Sequence, residues 1–279
     1  MIVDCFPFLN ELELLEIRLN VLDPYVDKFV LVEAAKTQTL KKKPFVFEEN
    51  KSKFEKFLDK IEHVKLDEYD CPIGGFRNVN NDWTMEHLQR NSVCVGVDRL
   101  DLSMDDIILI SDLDEIPNLT QVEENIKFVE DKVMTSFVNN TYSYFLNMKC
   151  YDGDRKEEKI SRHSLGVLRK TLKVHSPQEL WSVRNTAPRP DTPRGWHLSW
   201  LGGPQKVREK SLSCIEPFDK SCVPSEEKME EVFNKRVMVD GYWNINNPSD
   251  NSVSVGKVDS SCLPDYLIEN KEKYKHLFC

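Results

Sequence analysis

The segment Asp105-Asp106-Ile107-Ile108-Leu109-Ile110-Ser111-Asp112-Leu113-Asp114-Glu115-Ile116-Pro117 decides the fold class of this chain. Its four consecutive aliphatic residues, 107–110, are typical of a central strand in a parallel sheet that is buried on both faces. Three acids follow within five residues of that run. Because ligands of open α/β sheets bind outside the carboxyl ends of the strands, we expect these acids at the mouth of a crevice.

Asp112 and Asp114 are candidate metal ligands. They are separated by one residue, so in extended backbone their carboxylates can converge on one hard cation that keeps positions open for phosphate oxygens. The same residues also fit an acidic helix N-terminus, with Ser111 or Asp112 as the cap and Glu115 facing the helix dipole. The position directly after an apolar strand favours the metal site.

Length and composition narrow the class of protein. The 279 residues fit one large α/β domain with a sizeable core, and the formal net charge of −9 argues against general affinity for nucleic acid or anionic membranes. No run reaches the roughly eighteen apolar residues of a spanning helix, and the chain begins without a basic leader. We therefore expect a soluble, cytoplasmic protein. The eight cysteines form no C-x-x-C pair, which predicts reduced thiols and no zinc site.

Strand and helix patterns alternate along the first half of the chain. Strands are predicted at 1–8, 28–34, 63–66 and 107–110, helices at 11–22, 50–61, 82–100 and 119–130, and a strand-rich stretch at 133–150. Asp82 is the predicted N-cap of the third helix. This alternation predicts an α/β fold whose doubly wound, mostly parallel sheet is flanked by helices.

The second half is less regular. Residues 151–164 are predicted to form a surface loop, and 177–194, with four prolines, an irregular lid or binding loop. A strand at 195–201 and helices at 204–214, 225–237 and 263–279 complete the prediction.

Three basic or imidazole side chains are further candidates for the same site. His197, between two tryptophans, fits a third metal ligand, although such a histidine also fits a packed core position. Arg90 lies on the helix predicted at 82–100, directly before the apolar strand, and its guanidinium can hold a diphosphate in bidentate fashion. Lys210 lies on the predicted helix after Gly202-Gly203, and its ammonium group can also reach a diphosphate. For both cations a solvated surface position is the alternative.

Several segments together resemble glycosyltransferase family 17, the β-1,4-mannosyl-glycoprotein 4-β-N-acetylglucosaminyltransferase type. They are 4–19, 26–34, 89–91, 111–117, 195–200 and 264–267. The resemblance implies a GT-A-type fold, a nucleotide-diphosphate sugar donor such as a UDP-sugar, Mn²⁺ or Mg²⁺, inversion at the anomeric carbon, and a glycan or glycoprotein acceptor. Segments 37–43 and 213–217 depart from the family pattern. The resemblance implies N-acetylglucosamine as the sugar, and these departures leave xylose, glucose and mannose as alternatives.

The resemblance also implies roles for individual residues and segments. Asp112 and Asp114 match the family's D-x-D motif, and His197 lies in the matching Gly-Trp-His-Leu-Ser-Trp segment. Contacts with the donor are expected from Phe6, Asn10, Glu33, Arg90, Ser111 and Lys210. One catalytic domain is expected over 1–279, with a nucleotide-binding half at 1–117, an acceptor and metal half at 118–215, and a C-terminal helical extension at 216–279.

An inverting transfer needs a carboxylate that takes the proton of the acceptor hydroxyl. The candidates are Asp152, Asp154, Glu179, Glu216 and Asp240. Asp152 is preferred because it ends the strand-rich segment. Two other functions fit the same sequence. One is a metal-dependent nucleotide-sugar hydrolase, and the other is a non-catalytic carbohydrate-binding module that stacks sugars on tryptophans. The presence of both Asp112 and Asp114 argues against the binding module.

Overall fold

The computed structural model describes residues 1–67, 83–132, 134–152, 157–214, 223, 225–235 and 253–279. These residues form two compact units. The first unit contains 1–67, 84–132, 134–139 and 162–195, and the second contains the remaining described residues. Among the described helices, none has the length and apolar character needed to cross a membrane. The assignment of one catalytic domain in three parts stays a prediction.

The described elements form a mixed α/β fold. The strands are β1 (Ile2–Phe8), β2 (Lys28–Ala34), β3 (Ile61–Leu66), β4 (Ile107–Ile110), β5 (Glu115–Ile116), β6 (Met134–Ser143), β7 (Met148–Asp152), β8 (Glu157–Glu158), β9 (Ile160–Leu168), β10 (Gly195–Ser199) and β11 (Val253–Lys257). The helices are α1 (Leu12–Leu22), α2 (Val46–Glu49), α3 (Thr84–Asn91), α4 (Val93–Arg99), α5 (Val122–Glu130), α6 (Pro177–Ser182), α7 (Gly203–Ser213), α8 (Glu226–Lys235) and α9 (Asp265–Glu269).

The first unit is built on four parallel strands in the order β3-β2-β1-β4. Strand β4 is buried along its whole length, as its aliphatic sequence predicts. Strand order reverses at β1, because β2 and β3 extend the sheet to one side and β4 lies on the other. Such a reversal point is where ligands of parallel sheets bind, and the acids that follow β4 lie beside it.

The sheet is mixed, and the prediction of a mostly parallel sheet is wrong beyond β4. Strand β9 pairs antiparallel with β4, with Ile107 opposite Leu168. In the second unit β7 pairs antiparallel with β8 and β11. The segment 151–164, predicted as a loop, therefore contributes to β7, β8 and β9. Its many charges suggested a loop, but strands with one solvated face tolerate charges on that face.

Three predicted helices have different bounds in the structure. The helix predicted at 82–100 is broken into α3 and α4 at Ser92, whose hydroxyl donates to Leu88 O at 2.7 Å instead of facing solvent. Its predicted cap, Asp82, lies outside the described residues. The helix predicted at 50–61 is replaced by α2 and a 3₁₀ segment, Lys51–Phe57. At the C-terminus, 263–279 contains α9 and a 3₁₀ turn, and no continuous helix.

The proline-containing segment 177–194 is more regular than predicted. Pro177 begins helix α6 at the first helical position, where a missing N–H costs nothing. Ser176 caps that helix, and the Glu179 side chain accepts from Ser176 N at 2.8 Å in a capping box. The prediction weighed the prolines as breakers and overlooked the Ser-x-x-Glu signal.

The second unit has its own core around β7 and helix α7. This core consists of Tyr144, Met148, Cys150, Trp200, Val207, Met229 and Val255. Helices α7 and α8 lie close to their predicted positions at 204–214 and 225–237.

Candidate active site

The five residues after β4, 111–115, form a tight turn that we call the acidic loop. Ser111 N donates to Cys5 O at 3.2 Å, which ties the start of the loop to β1. Glu115 N donates to Asp112 O at 3.0 Å and closes the turn before β5. The next helix, α5, begins only at Val122, so the alternative of an acidic helix N-terminus at these residues is wrong.

Arg18 of helix α1 holds the backbone of the acidic loop. Its side chain is completely buried, and its Nε and Nη2 form a bidentate pair with the Asp4 carboxylate at 2.8 and 2.7 Å. Nη1 donates to three loop carbonyl oxygens, those of Asp112 (2.8 Å), Leu113 (3.1 Å) and Glu115 (2.9 Å). This single guanidinium therefore determines the course of the loop.

Ser111 completes the same network. Its hydroxyl accepts from Arg18 Nη2 at 2.7 Å and donates to Glu115 O at 2.9 Å. Phe6 lies below, completely buried, with its ring centroid 4.6 Å from the Arg18 guanidinium carbon. The backbone side of the loop is thus bonded to β1 and α1 throughout.

The carboxylates of the loop differ in exposure. The Asp112 side chain is 37% exposed, whereas Asp114 is 9% exposed and Glu115 is 1% exposed as whole residues. Asp112 Oδ1 accepts from Arg90 Nη2 at 3.1 Å. Asp112 is therefore the loop acid that solvent or a ligand reaches most easily.

Arg90 of α3 is held among several partners. Its Nη2 also pairs with Glu86 at 2.8 Å, and its Nη1 donates to Gln178 Oε1 at 2.6 Å. Its guanidinium carbon lies 4.1 Å from the ring centroid of Trp181. Burial lowers the pKa of Arg90, but the charges and hydrogen bonds of Asp112 and Glu86 raise it by more, so the group stays cationic.

A second guanidinium contacts the same indole. Arg184 stacks on Trp181 with its guanidinium carbon 3.3 Å from the ring centroid, and its Nη2 lies 3.3 Å from His163 Nε2. His163 Nδ1 in turn lies 2.6 Å from Glu115 Oε1. We call Arg90, Trp181 and Arg184 the Trp181 cluster; it places two cations beside the acidic loop.

The loop carboxylates fit a divalent cation. The carbonyl oxygens of Asp112, Leu113 and Glu115 accept from Arg18, and the side chains of Asp112 and Asp114 are the carboxylates that the sequence predicts as ligands. One or two carboxylates plus substrate phosphates is the usual environment of Mg²⁺. Within the described part of the chain, no group of three or more His, Cys, Asp or Glu side chains is arranged to hold a metal ion. The metal role of Asp112 and Asp114 stays a prediction.

Comparison with known families assigns the chain. The family model of glycosyltransferase family 17 matches residues 1–152, more than half of the 279-residue chain. The chain belongs to glycosyltransferase family 17. It is accordingly a glycosyltransferase that acts on a sugar donor and an acceptor. No curated protein matches it.

The matched region of this family 17 enzyme contains one part of the site and not the other. Arg18, Arg90 and the acidic loop lie inside it. His163, Trp181 and Arg184 lie beyond residue 152.

The other predicted donor contacts in the first unit have structural partners. The Glu33 carboxylate accepts from Lys43 Nζ at 2.8 Å and Phe47 N at 3.2 Å, and lies 3.2 Å from His63 Nε2. Asn10, exposed, follows β1, and its backbone N–H donates to Glu11 at 3.1 Å. Donor binding by Phe6, Asn10, Glu33, Arg90 and Ser111 stays a prediction.

Except for Glu179, the remaining predicted residues belong to the second unit or to undescribed segments. His197 lies half-buried on β10, Lys210 lies on α7 with its Nζ 5.6 Å from the Trp200 ring centroid, and Asp152 is the last residue of β7. Their participation in one site with the acidic loop stays a prediction. Among the other proposed bases, Asp154, Glu216 and Asp240 lie outside the described residues. Glu179, in the first unit, is exposed in the first turn of α6, and hydrogen bonds from Ser176 lower its pKa.

Four site residues were missed in the sequence: Arg18, His163, Trp181 and Arg184. Arg18 and its partner Asp4 were recognisable, because each interrupts an apolar pattern, Arg18 on the buried face of α1 and Asp4 within β1. A charge at such a position needs a buried partner. The other three carried no local signal: His163 lies in 151–164, which was predicted as a surface loop, and Trp181 and Arg184 lie in 177–194, which was predicted to be irregular.

Proposed function

We propose that this glycosyltransferase uses a nucleotide-diphosphate sugar and a divalent cation, with Asp112 and Asp114 as cation ligands. The Asp112 side chain carries the proposal. It lies at the carboxyl end of β4, it is more than a third exposed, and Arg90 bonds one of its oxygens. Within the described part of the chain, its Oδ2 has no hydrogen-bond partner. An exposed carboxylate oxygen next to a buried arginine suits a cation that is shared with phosphate oxygens.

The chemistry follows from charge. When bound, a divalent cation would stabilise the negative charge that develops on the diphosphate as its bond to the sugar breaks. Arg90 uses three of its five N–H groups for Gln178, Glu86 and Asp112, and among the described residues the other two have no acceptor, so they are proposed to donate to diphosphate oxygens. His197 is proposed as a further cation ligand and Lys210 as a further diphosphate contact.

We further propose that the reaction inverts the anomeric carbon by one in-line attack of an acceptor hydroxyl. A carboxylate must take the hydroxyl proton, and Asp152 is the proposed base. The proposed sugar is N-acetylglucosamine, from a UDP donor to a glycan, on the strength of the family resemblance. Xylose, glucose and mannose donors are the alternatives, and hydrolysis of the donor without an acceptor is the competing reaction.

A donor screen tests the proposal. UDP-GlcNAc, UDP-Glc, UDP-Gal, UDP-Xyl, GDP-Man and GDP-Fuc are each added with Mn²⁺, and the melting temperature and the release of nucleotide are measured. We expect one donor to raise the melting temperature and to be consumed, with both effects removed by EDTA. Consumption that depends on an added glycan indicates transfer, whereas equal release without a glycan indicates hydrolysis.

Matched variants separate the loop acid from general effects of charge. Asp112→Asn should remove the Mn²⁺-dependent response, whereas Asp101→Asn, at an exposed aspartate before β4, should not. Binding and turnover of a nucleotide sugar that are fully resistant to EDTA would overturn the cation-dependent mechanism.

A further inference from the structure

Arg184 carries a charge that no direct acidic partner offsets in the described part of the chain. Its Nη1 donates to Trp181 O at 2.8 Å and its Nη2 contacts His163 Nε2, but the described residues place no carboxylate within ion-pair distance. Its Nε is buried and lacks an acceptor there. The guanidinium is therefore fixed in position, and three of its five N–H groups have no acceptor in the described part of the chain.

Holding this cation in place opposes stability. Burial lowers the pKa of Arg184. The charge of Glu115 raises it and that of Arg90 lowers it further, while Asp112 and Glu86 add smaller increases. A half-buried cation without a carboxylate partner is costly, and a second cation on the same indole adds to the cost. A residue with a purely structural role at this position would be expected to have an acidic partner.

The surroundings of Arg184 match an anion with several oxygens. Trp181 Nε1 is another buried N–H without an acceptor in the described part of the chain. Arg90, on the same ring, bonds the exposed acid Asp112. Two guanidiniums and further N–H groups thus surround one indole next to the proposed cation ligand.

We propose that Arg184 binds oxygens of the donor's diphosphate together with Arg90. Stacking on Trp181 and contact with His163, which Glu115 holds, position its guanidinium. Two planar guanidiniums provide the paired N–H donors that phosphate oxygens accept most strongly. This inference rests on the proposed function, because it requires a diphosphate donor.

Inorganic pyrophosphate with Mg²⁺ is the probe, because it carries the diphosphate chemistry without a commitment to base or sugar. Its dissociation constant is measured by calorimetry for the wild type, Arg184→Gln, Arg184→Lys and Arg189→Gln. Arg189 is the matched control, an exposed arginine on the same segment. Arg184→Gln should weaken binding roughly tenfold or more, since a hydrogen bond to a charged group contributes about that much. The dissociation constant of Arg184→Lys should lie between those of the wild type and Arg184→Gln, and that of Arg189→Gln should equal the wild-type value.

Three outcomes would overturn the inference, and they are distinguishable. Wild-type affinity in Arg184→Gln, with a lower melting temperature of the ligand-free protein, assigns Arg184 a structural role and leaves the proposed function intact. If Arg184→Gln does not fold, Arg184→Lys is used instead, because lysine keeps the charge but loses the paired N–H donors of the planar guanidinium. Wild-type affinity in Arg184→Lys would then also assign Arg184 a structural role. Failure of the wild type to bind pyrophosphate would overturn both this inference and the proposed function.

Discussion

The two sides of the acidic loop differ in how completely their hydrogen bonds are satisfied. On the backbone side, Arg18 is completely buried and uses all of its nitrogens on Asp4, Ser111 and the loop carbonyls. On the side-chain side, the Trp181 cluster holds two cations, and Arg184 has donors to spare. Donors that already have acceptors cannot bind a ligand as well, whereas donors without acceptors beside an exposed acid can. The first side therefore sets the shape of the loop, and the second side is the one suited to binding.

The largest effect is expected on the saturated side. Arg18→Met leaves the completely buried Asp4 carboxylate without its partner, and breaking such a pair costs about 3–5 kcal/mol of the free energy of unfolding. Urea denaturation measures this loss. The control is Arg99→Met, whose pair with Glu62 lies at the surface, and we expect a change within about 0.5 kcal/mol.

A double variant sharpens the same comparison. Arg18→Met combined with Asp4→Leu removes the unpaired charge and should recover part of the lost stability. It should not recover donor binding, because the loop carbonyls still lack their donor. Wild-type donor affinity in the double variant would contradict the assignment of loop shape to Arg18.

Replacement of a loop acid should separate activity from stability. Asp112→Asn or Asp114→Asn should lower turnover about a hundredfold or more, by analogy with the loss of a group that stabilises transition-state charge. For the partly exposed Asp112 we expect the free energy of unfolding to change by no more than about 0.5 kcal/mol. A mutant that keeps full activity in EDTA would show that its carboxylate does not hold a required cation.

A smaller effect is expected from the indole that both arginines contact. Trp181→Leu removes two cation–π contacts and should weaken pyrophosphate binding roughly fivefold to thirtyfold, as expected for contacts of about 0.5–1 kcal/mol each. Trp181→Phe keeps an aromatic face and should retain most of the affinity. Calorimetry on the two variants measures the difference, and equal losses in both would count against the stacking argument.

The smallest effect is expected from pH. Burial lowers the pKa of His163, but the hydrogen bond and charge of Glu115 raise it by more than burial and Arg184 lower it, with Asp112 adding to the rise. The pKa of His163 in the folded protein is therefore higher than its unfolded value near 6.5. Protonated His163 contributes its full stabilisation below pH 6.5, and this stabilisation is lost as pH rises through the folded pKa.

The free energy of unfolding should therefore fall as pH rises above about 6.5. Urea titrations across this range measure the slope. His163→Gln should flatten it, whereas His175→Gln, at an exposed position, should leave it unchanged. A slope that persists in His163→Gln would assign the titration to another group.

The sequence was most informative where structure is local. Apolar runs placed β1, β2 and β4 within a residue of their observed bounds. The acidic loop was found because its acids directly follow the apolar run that forms β4. These signals depend on neighbouring residues alone, so no tertiary information was needed.

The part of the site that depends on long-range contacts was not found. Arg184 meets His163 only because β9 and the segment after α6 come together, and neither residue has a motif of its own. Strand direction beyond β4 was also missed, since apolar patterning does not distinguish parallel from antiparallel pairing.

Arg18 also has a consequence for the order of folding. It bonds carbonyl oxygens about 94 positions further along the chain, so the acidic loop acquires its shape only when α1, β1 and β4 have assembled. Closing so long a loop costs entropy that long-range contacts must repay. During refolding, recovery of ligand binding should therefore follow burial of the core and lag behind recovery of helix. An isolated peptide that contains the D-x-D residues would lack the anchor that shapes them.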